Sequence, residues 1–120
     1  MKHIISGIVL GSVLSTSAVA HHSFAMFDNN KEVVLEGTVK EFQWTNPHTW
    51  TQVIVKDAAG KEVEWSIEGG SPNGLKRSGW DKKSMKTGDT VVMTIQPLKD
   101  GTAGGSFVKA TVNGKPLGRE

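Results

Sequence analysis

Lys61-Glu62-Val63-Glu64-Trp65-Ser66-Ile67-Glu68-Gly69-Gly70-Ser71-Pro72-Asn73-Gly74-Leu75-Lys76-Arg77-Ser78-Gly79 is the stretch that decides the fold. Val63, Trp65 and Ile67 alternate with Glu62, Glu64, Ser66 and Glu68. That period of two predicts a strand with a buried face and a wet face carrying the glutamates. Gly69-Gly70 then breaks the alternation. Ser71 suits a helix N-cap, Pro72 the first helical position and Gly79 the residue past the end, which predicts one short helix of two turns at most.

Upstream, Asp57-Ala58-Ala59-Gly60 reads as a hairpin turn into a strand from about Thr49 to Lys56, with Val53 and Val55 inward. The strand before it, Val33 to Trp44, carries Val33, Leu35 and Val39 in one phase and Phe42 and Trp44 in the other. This predicts a one-residue bulge between Val39 and Phe42, with Gly37 allowing the bend. Downstream, Thr90 to Leu98 has Val91, Met93 and Ile95 on one face. A turn at Lys99-Asp100-Gly101 and a loose loop over Thr102-Ala103-Gly104-Gly105 lead to a strand from about Ser106 to Val112. From Asn113 the chain reads as a turn and a frayed end.

Three strands, a short helix and two strands is the order of an all-β, five-stranded OB-like barrel; a small open sandwich of the same strands is the alternative. OB barrels bind ligands over strands two and three and the loops joining strands one to two and four to five. Trp44-Thr45-Asn46-Pro47-His48-Thr49-Trp50 is the first of those loops and Asp100 to Gly105 the second. Trp44, Asn46 and Trp50 are therefore the candidate ligand-binding residues.

The chain opens on Met1-Lys2-His3, an apolar run from Ile4 to Leu14, and Ala18-Val19-Ala20. A charged start, an apolar run well short of the roughly 20 residues that span a bilayer, and a small-x-small site describe a signal peptide over residues 1–20. The expectation is a periplasmic protein without a stable membrane anchor after cleavage. Residues 21–120 then form a single domain whose first part, 21–32, is an arm.

The formal charge is +2, and Lys2 leaves with the leader, so the mature chain is nearly neutral. That argues against a nucleic-acid partner, which calls for a strong basic excess. There is no cysteine, so thiol nucleophiles, Cys-ligated zinc and iron–sulfur clusters are excluded. Lys76, Arg77, Lys82, Lys83 and Lys86 read as a solvated face, with an anionic-ligand or partner-docking patch as the alternative. No nucleophile elbow and no His-Glu-x-x-His pair exists, so the case for an enzyme is thin.

The opening octet His21-His22-Ser23-Phe24-Ala25-Met26-Phe27-Asp28, the Trp44-Thr45-Asn46-Pro47-His48 turn, Ser71-Pro72 with Leu75, Gly79-Trp80 and Lys86-Thr87-Gly88-Asp89 resemble a family of small secreted bacterial proteins of unknown function. The resemblance covers essentially the whole mature chain and implies periplasmic export but no activity. A looser similarity is to periplasmic OB-fold copper chaperones, which hold Cu(I) with one His and two Met beside a Trp. His48 stands near Trp44 and Trp50 here, but Met26, Met85 and Met93 lack the paired Met-x-Met arrangement.

Cleavage after Ala20 would give His21 a free α-amine beside its own imidazole, a chelating pair suited to copper. One more imidazole, from His48 or alternatively His22, completes a three-nitrogen site like the histidine brace of secreted copper proteins. The expectation is a periplasmic binding module with copper at His21, His22 and His48. Two plainer readings stand beside it: His21-His22 as an unstructured tail, and His48 as a residue that hydrogen-bonds its own turn. The competing function is a non-metal interaction domain that binds a protein partner or a small organic ligand over Trp44 and Trp50.

Overall fold

A computed structural model describes residues 24–117. The signal peptide expected over 1–20, and His21 and His22, lie outside the described residues. A 3-10 turn, Phe24–Met26, leads into β1 (Val33–Gln43), β2 (Trp50–Lys56), β3 (Glu62–Glu68), the helix α1 (Pro72–Arg77), β4 (Thr90–Pro97), β5 (Gly104–Val112) and β6 (Lys115–Pro116). The strands run β3-β2-β1-β4-β5-β6, and β3 also pairs in parallel with β5. That last pairing closes five strands into a barrel, with the helix between β3 and β4 as the element order predicts.

The barrel interior follows from the alternation. Leu35, Val39, Val53, Ile67, Val91, Met93 and Ile95 point inward and are all but inaccessible, packed with Met85 and Trp80. β1 pairs with β4 through its first half and with β2 through its second, and its register against β2 shifts between Val39 and Glu41. The predicted bulge is therefore present, and it turns Phe42 onto the core. Phe42 touches Trp44 edge-on at 5.8 Å and Trp80 at 6.2 Å, while Trp80 stands perpendicular to Phe107 at 5.1 Å. Trp65, expected inside, is half-buried against the same core.

The helix is capped as its sequence suggests: the Ser71 hydroxyl accepts from the Gly74 amide at 3.2 Å, and Gly79 takes a φ of 87° after the last turn. The five basic residues that follow from Lys76 to Lys86 are exposed.

Three readings change. Gly104 and Gly105 are not a loose loop but the buried start of β5, facing Ser66 and Ile67 of β3. A Cβ on Gly105 would come within 2.5 Å of the Gln96 carbonyl oxygen, so the barrel closes through backbone that only glycine permits. Residues 113–116 are not frayed, because Asn113-Gly114, both at positive φ, make a tight turn that returns Lys115–Pro116 onto β5. The outer face of β3 is also not uniformly wet: Glu64 is exposed and Glu68 is buried.

The arm explains the last point. Phe27 forms an antiparallel bridge with Leu98, the Asp28 amide donates to the Pro97 carbonyl at 2.8 Å, and the Lys99 amide donates to the Met26 carbonyl at 3.0 Å. The chain upstream of β1 is thus pinned to the end of β4, and Phe27 is only 6% exposed. The Asp28-Asn29-Asn30 turn is closed by the Asp28 carboxylate, which accepts from the Asn30 amide at 3.1 Å.

Candidate functional site

The loop between β1 and β2 is held by the two glycines that end β3. The Thr49 amide donates to the Gly70 carbonyl at 3.0 Å, the Gly69 amide donates to the Thr49 carbonyl at 2.8 Å, and the Thr49 hydroxyl donates to the Gly70 carbonyl at 2.9 Å. A Cβ on Gly69 would meet the Thr49 hydroxyl oxygen at an impossible 2.4 Å, so the clamp requires glycine there. The Asn46–Pro47 bond within the loop is cis.

The clamp sets His48. Its Nδ1 lies 3.2 Å from the Gly69 carbonyl oxygen and 3.6 Å from Glu68 Oε1. A carbonyl oxygen only accepts, so Nδ1 carries a proton, which in the neutral ring leaves the lone pair at Nε2. This is the tautomer in which metal-binding histidines are commonly held, with the second nitrogen donating to a carbonyl or carboxylate.

Glu68 is the residue that the sequence reading missed. Its side chain is 8% exposed, and its Oε2 has no hydrogen-bond partner among the described residues. A carboxyl group shut away from water with an unpartnered oxygen is costly, and such a group calls for a partner: a water, an ion or a ligand. The available signal was Trp50, which is out of phase with Val53 and pairs directly with Glu68 across β2 and β3. Trp50 therefore sits on the outer face, and an outer face that carries a tryptophan is not simply wet.

Two adjoining cavities share Phe27 and Glu68 as a wall. The smaller, about 240 Å³, is lined by His48, Gly69, Gly70, Ser106 and Phe107 beside them. The larger, about 480 Å³, is a mostly apolar trough between the arm, Trp50 and the start of β5, with Met26, Leu98, Ala103 and Gly104 in its walls. Lys99 and Asp100 stand at its edge and are exposed. The Thr102 hydroxyl and amide both donate to Asp100 Oδ1, at 2.7 and 2.9 Å, and hold that carboxylate below its usual range.

The structure thus brings Trp50, His48, the arm and the Asp100–Gly105 segment to one side of the barrel. Trp44 and Asn46 are elsewhere: Trp44 packs on Phe42 against the core, and Asn46 is exposed on the turn. Among the described residues no group of three or more His, Asp or Glu side chains is placed to hold a metal ion. Met85 and Met93 are inside the barrel, so they do not join His48 in a one-His, two-Met set.

Fold and site define a closed OB-like barrel with a docked N-terminal arm beside a histidine–glutamate pair. The chain belongs to DUF6152, a family of unknown function, whose model matches residues 9–107. No curated protein and no solved structure matches it.

Proposed function

We propose that the protein is a periplasmic binding module that holds copper through His21 and His48, with His22 as the alternative second imidazole. The observation that carries this reading is the docking of the arm: Phe27 lines the same small cavity as His48 and Glu68. His22 and His21 precede Phe27 by five and six residues, and a chain reaches at most about 3.6 Å per residue. That contour length of roughly 20 Å is ample to return to His48.

The donor set suits the metal. The His48 lone pair lies on Nε2, the expected mature terminus adds an amine and an imidazole, and the Glu68 carboxyl supplies charge beside them. Bound copper would supply a stable three-nitrogen centre there. His48 and Glu68 would orient it, and Phe27 would shield it from bulk water.

Intact mass spectrometry of the exported protein, followed by copper titration monitored by EPR, tests the reading. The expected result is a first residue at His21 and sub-micromolar binding that weakens at least tenfold in His48→Ala and with one extra residue before His21. Binding unchanged by both alterations would overturn it.

A further inference from the structure

The apolar trough is a second site with its own chemistry. Its volume, about 480 Å³, is within the range of small-molecule pockets, and its walls are Met26, Phe27, Trp50, Leu98 and Ala103. A simple apolar cleft would leave Glu68 unexplained. That residue also lines the trough, is more than nine-tenths buried, and keeps Oε2 without a partner among the described residues.

The surrounding charges favour a cationic guest. At the edge, Lys99 and Asp100 offset each other. Inside, Glu68 is the only ionisable lining group among the described residues, so the trough they form has a net demand for positive charge and for hydrogen-bond donors. Trp50 adds an aromatic surface, and indole attracts cations over its face. An inorganic cation would answer the carboxyl but leave the apolar walls unused. A neutral apolar molecule would fill the walls but leave the carboxyl unanswered.

We propose that the trough binds a small organic ammonium ion, with its apolar body between Trp50, Met26 and Leu98 and its N–H donors directed to Glu68. The sequence expectation of an organic ligand at Trp44 and Trp50 thereby narrows to Trp50. The assignment does not rest on the histidines, but Glu68 also adjoins the proposed copper site, so the ammonium site is tested on metal-free protein.

The test uses chelator-treated mature protein and 2-phenylethylammonium as the probe, with 2-phenylethanol and 3-phenylpropionate as neutral and anionic counterparts of similar size. Binding is followed by the Trp50 indole and Ala103 amide signals in NMR titrations. The ammonium ion should bind at least tenfold more tightly than the alcohol and the propionate weakest. Glu68→Gln should bring the ammonium ion and the alcohol to within about threefold of each other. Ala103→Trp, which fills the trough from a surface loop, should weaken both, while in His48→Ala, which lies outside the trough's lining, the ammonium ion should keep its preference over the alcohol. Equal affinities for ammonium ion and alcohol in the wild type, an ammonium preference that survives Glu68→Gln, or loss of amine binding in His48→Ala would each overturn the assignment. Copper binding lost in His48→Ala with amine binding intact supports both sites separately.

Discussion

Glu64 and Glu68 lie four residues apart on the same face of the same strand, yet they occupy opposite environments. The Glu64 side chain is 44% exposed and pairs with Lys40 of β1 in the open. Glu68 is closed off, beside His48 and opposite Trp50, with Phe27 of the arm lining both cavities that meet at it. Alternation along a strand determines which face a side chain takes. What covers that face is decided by residues distant in sequence. An exposed ion pair such as Lys40–Glu64 contributes little to stability, whereas a buried carboxyl with an unpartnered oxygen is retained against a stability penalty.

The largest effect expected from breaking this contrast comes from Phe27→Ala. Removing a buried aromatic should cost about 3 kcal/mol, read from urea denaturation. It should also speed hydrogen exchange at the Asp28 and Lys99 amides, which bond to the Pro97 and Met26 carbonyls. Exchange unchanged at both amides would show that Phe27 does not hold the arm.

Next comes Glu68→Met, which replaces the carboxyl with an apolar chain of similar size. Metal-free protein should gain about 1–3 kcal/mol, because the unpartnered oxygen disappears from a buried position. Glu64→Met, four residues away, should change stability by no more than about 0.5 kcal/mol. A loss of stability in Glu68→Met would mean that the carboxyl is well partnered, and the contrast between the two glutamates would fail.

The smallest effect belongs to the exposed pair. The hydrogen bond and charge of Glu64 raise the Lys40 pKa above its ordinary value. A raised lysine stabilises the fold fully below the unfolded value, about 10.4, and loses that contribution as pH rises through the folded value. Lys40→Gln should therefore slightly flatten the loss of urea midpoint above pH 10 and do nothing at neutral pH in high salt, where exposed charges are screened. A clear loss at neutral pH in high salt would contradict the assignment of this pair as a solvated one.

The fold was largely readable from local pattern. The alternation of Val63, Trp65 and Ile67, the phase change that required the Val39–Glu41 bulge and the Ser71 cap are each written within a few residues. The closure at Gly104–Gly105 was not, because two glycines look like a loop until the strand they must approach is known. The same applies to the site. His48 was visible as a lone imidazole in a turn, but its tautomer depends on the Gly69 carbonyl, 21 residues away. No period in β3 reports the burial of Glu68, because it depends on an arm that docks through Met26, Phe27 and Asp28. Trp44 and Trp50 looked like a pair by proximity in sequence, although the turn between them sends one onto the core and the other to the outer face.

The central claim of the proposed copper site is that the docked arm returns His21, freed by the expected cleavage after Ala20, to His48. Pulsed EPR of the mature protein with one equivalent of Cu(II) counts the imidazoles bound to the metal directly. Two coupled imidazoles in the wild type, falling to one in His48→Ala and with Glu68→Met still showing two, is the predicted result. A single imidazole in the wild type, or a spectrum identical in His48→Ala, would contradict it.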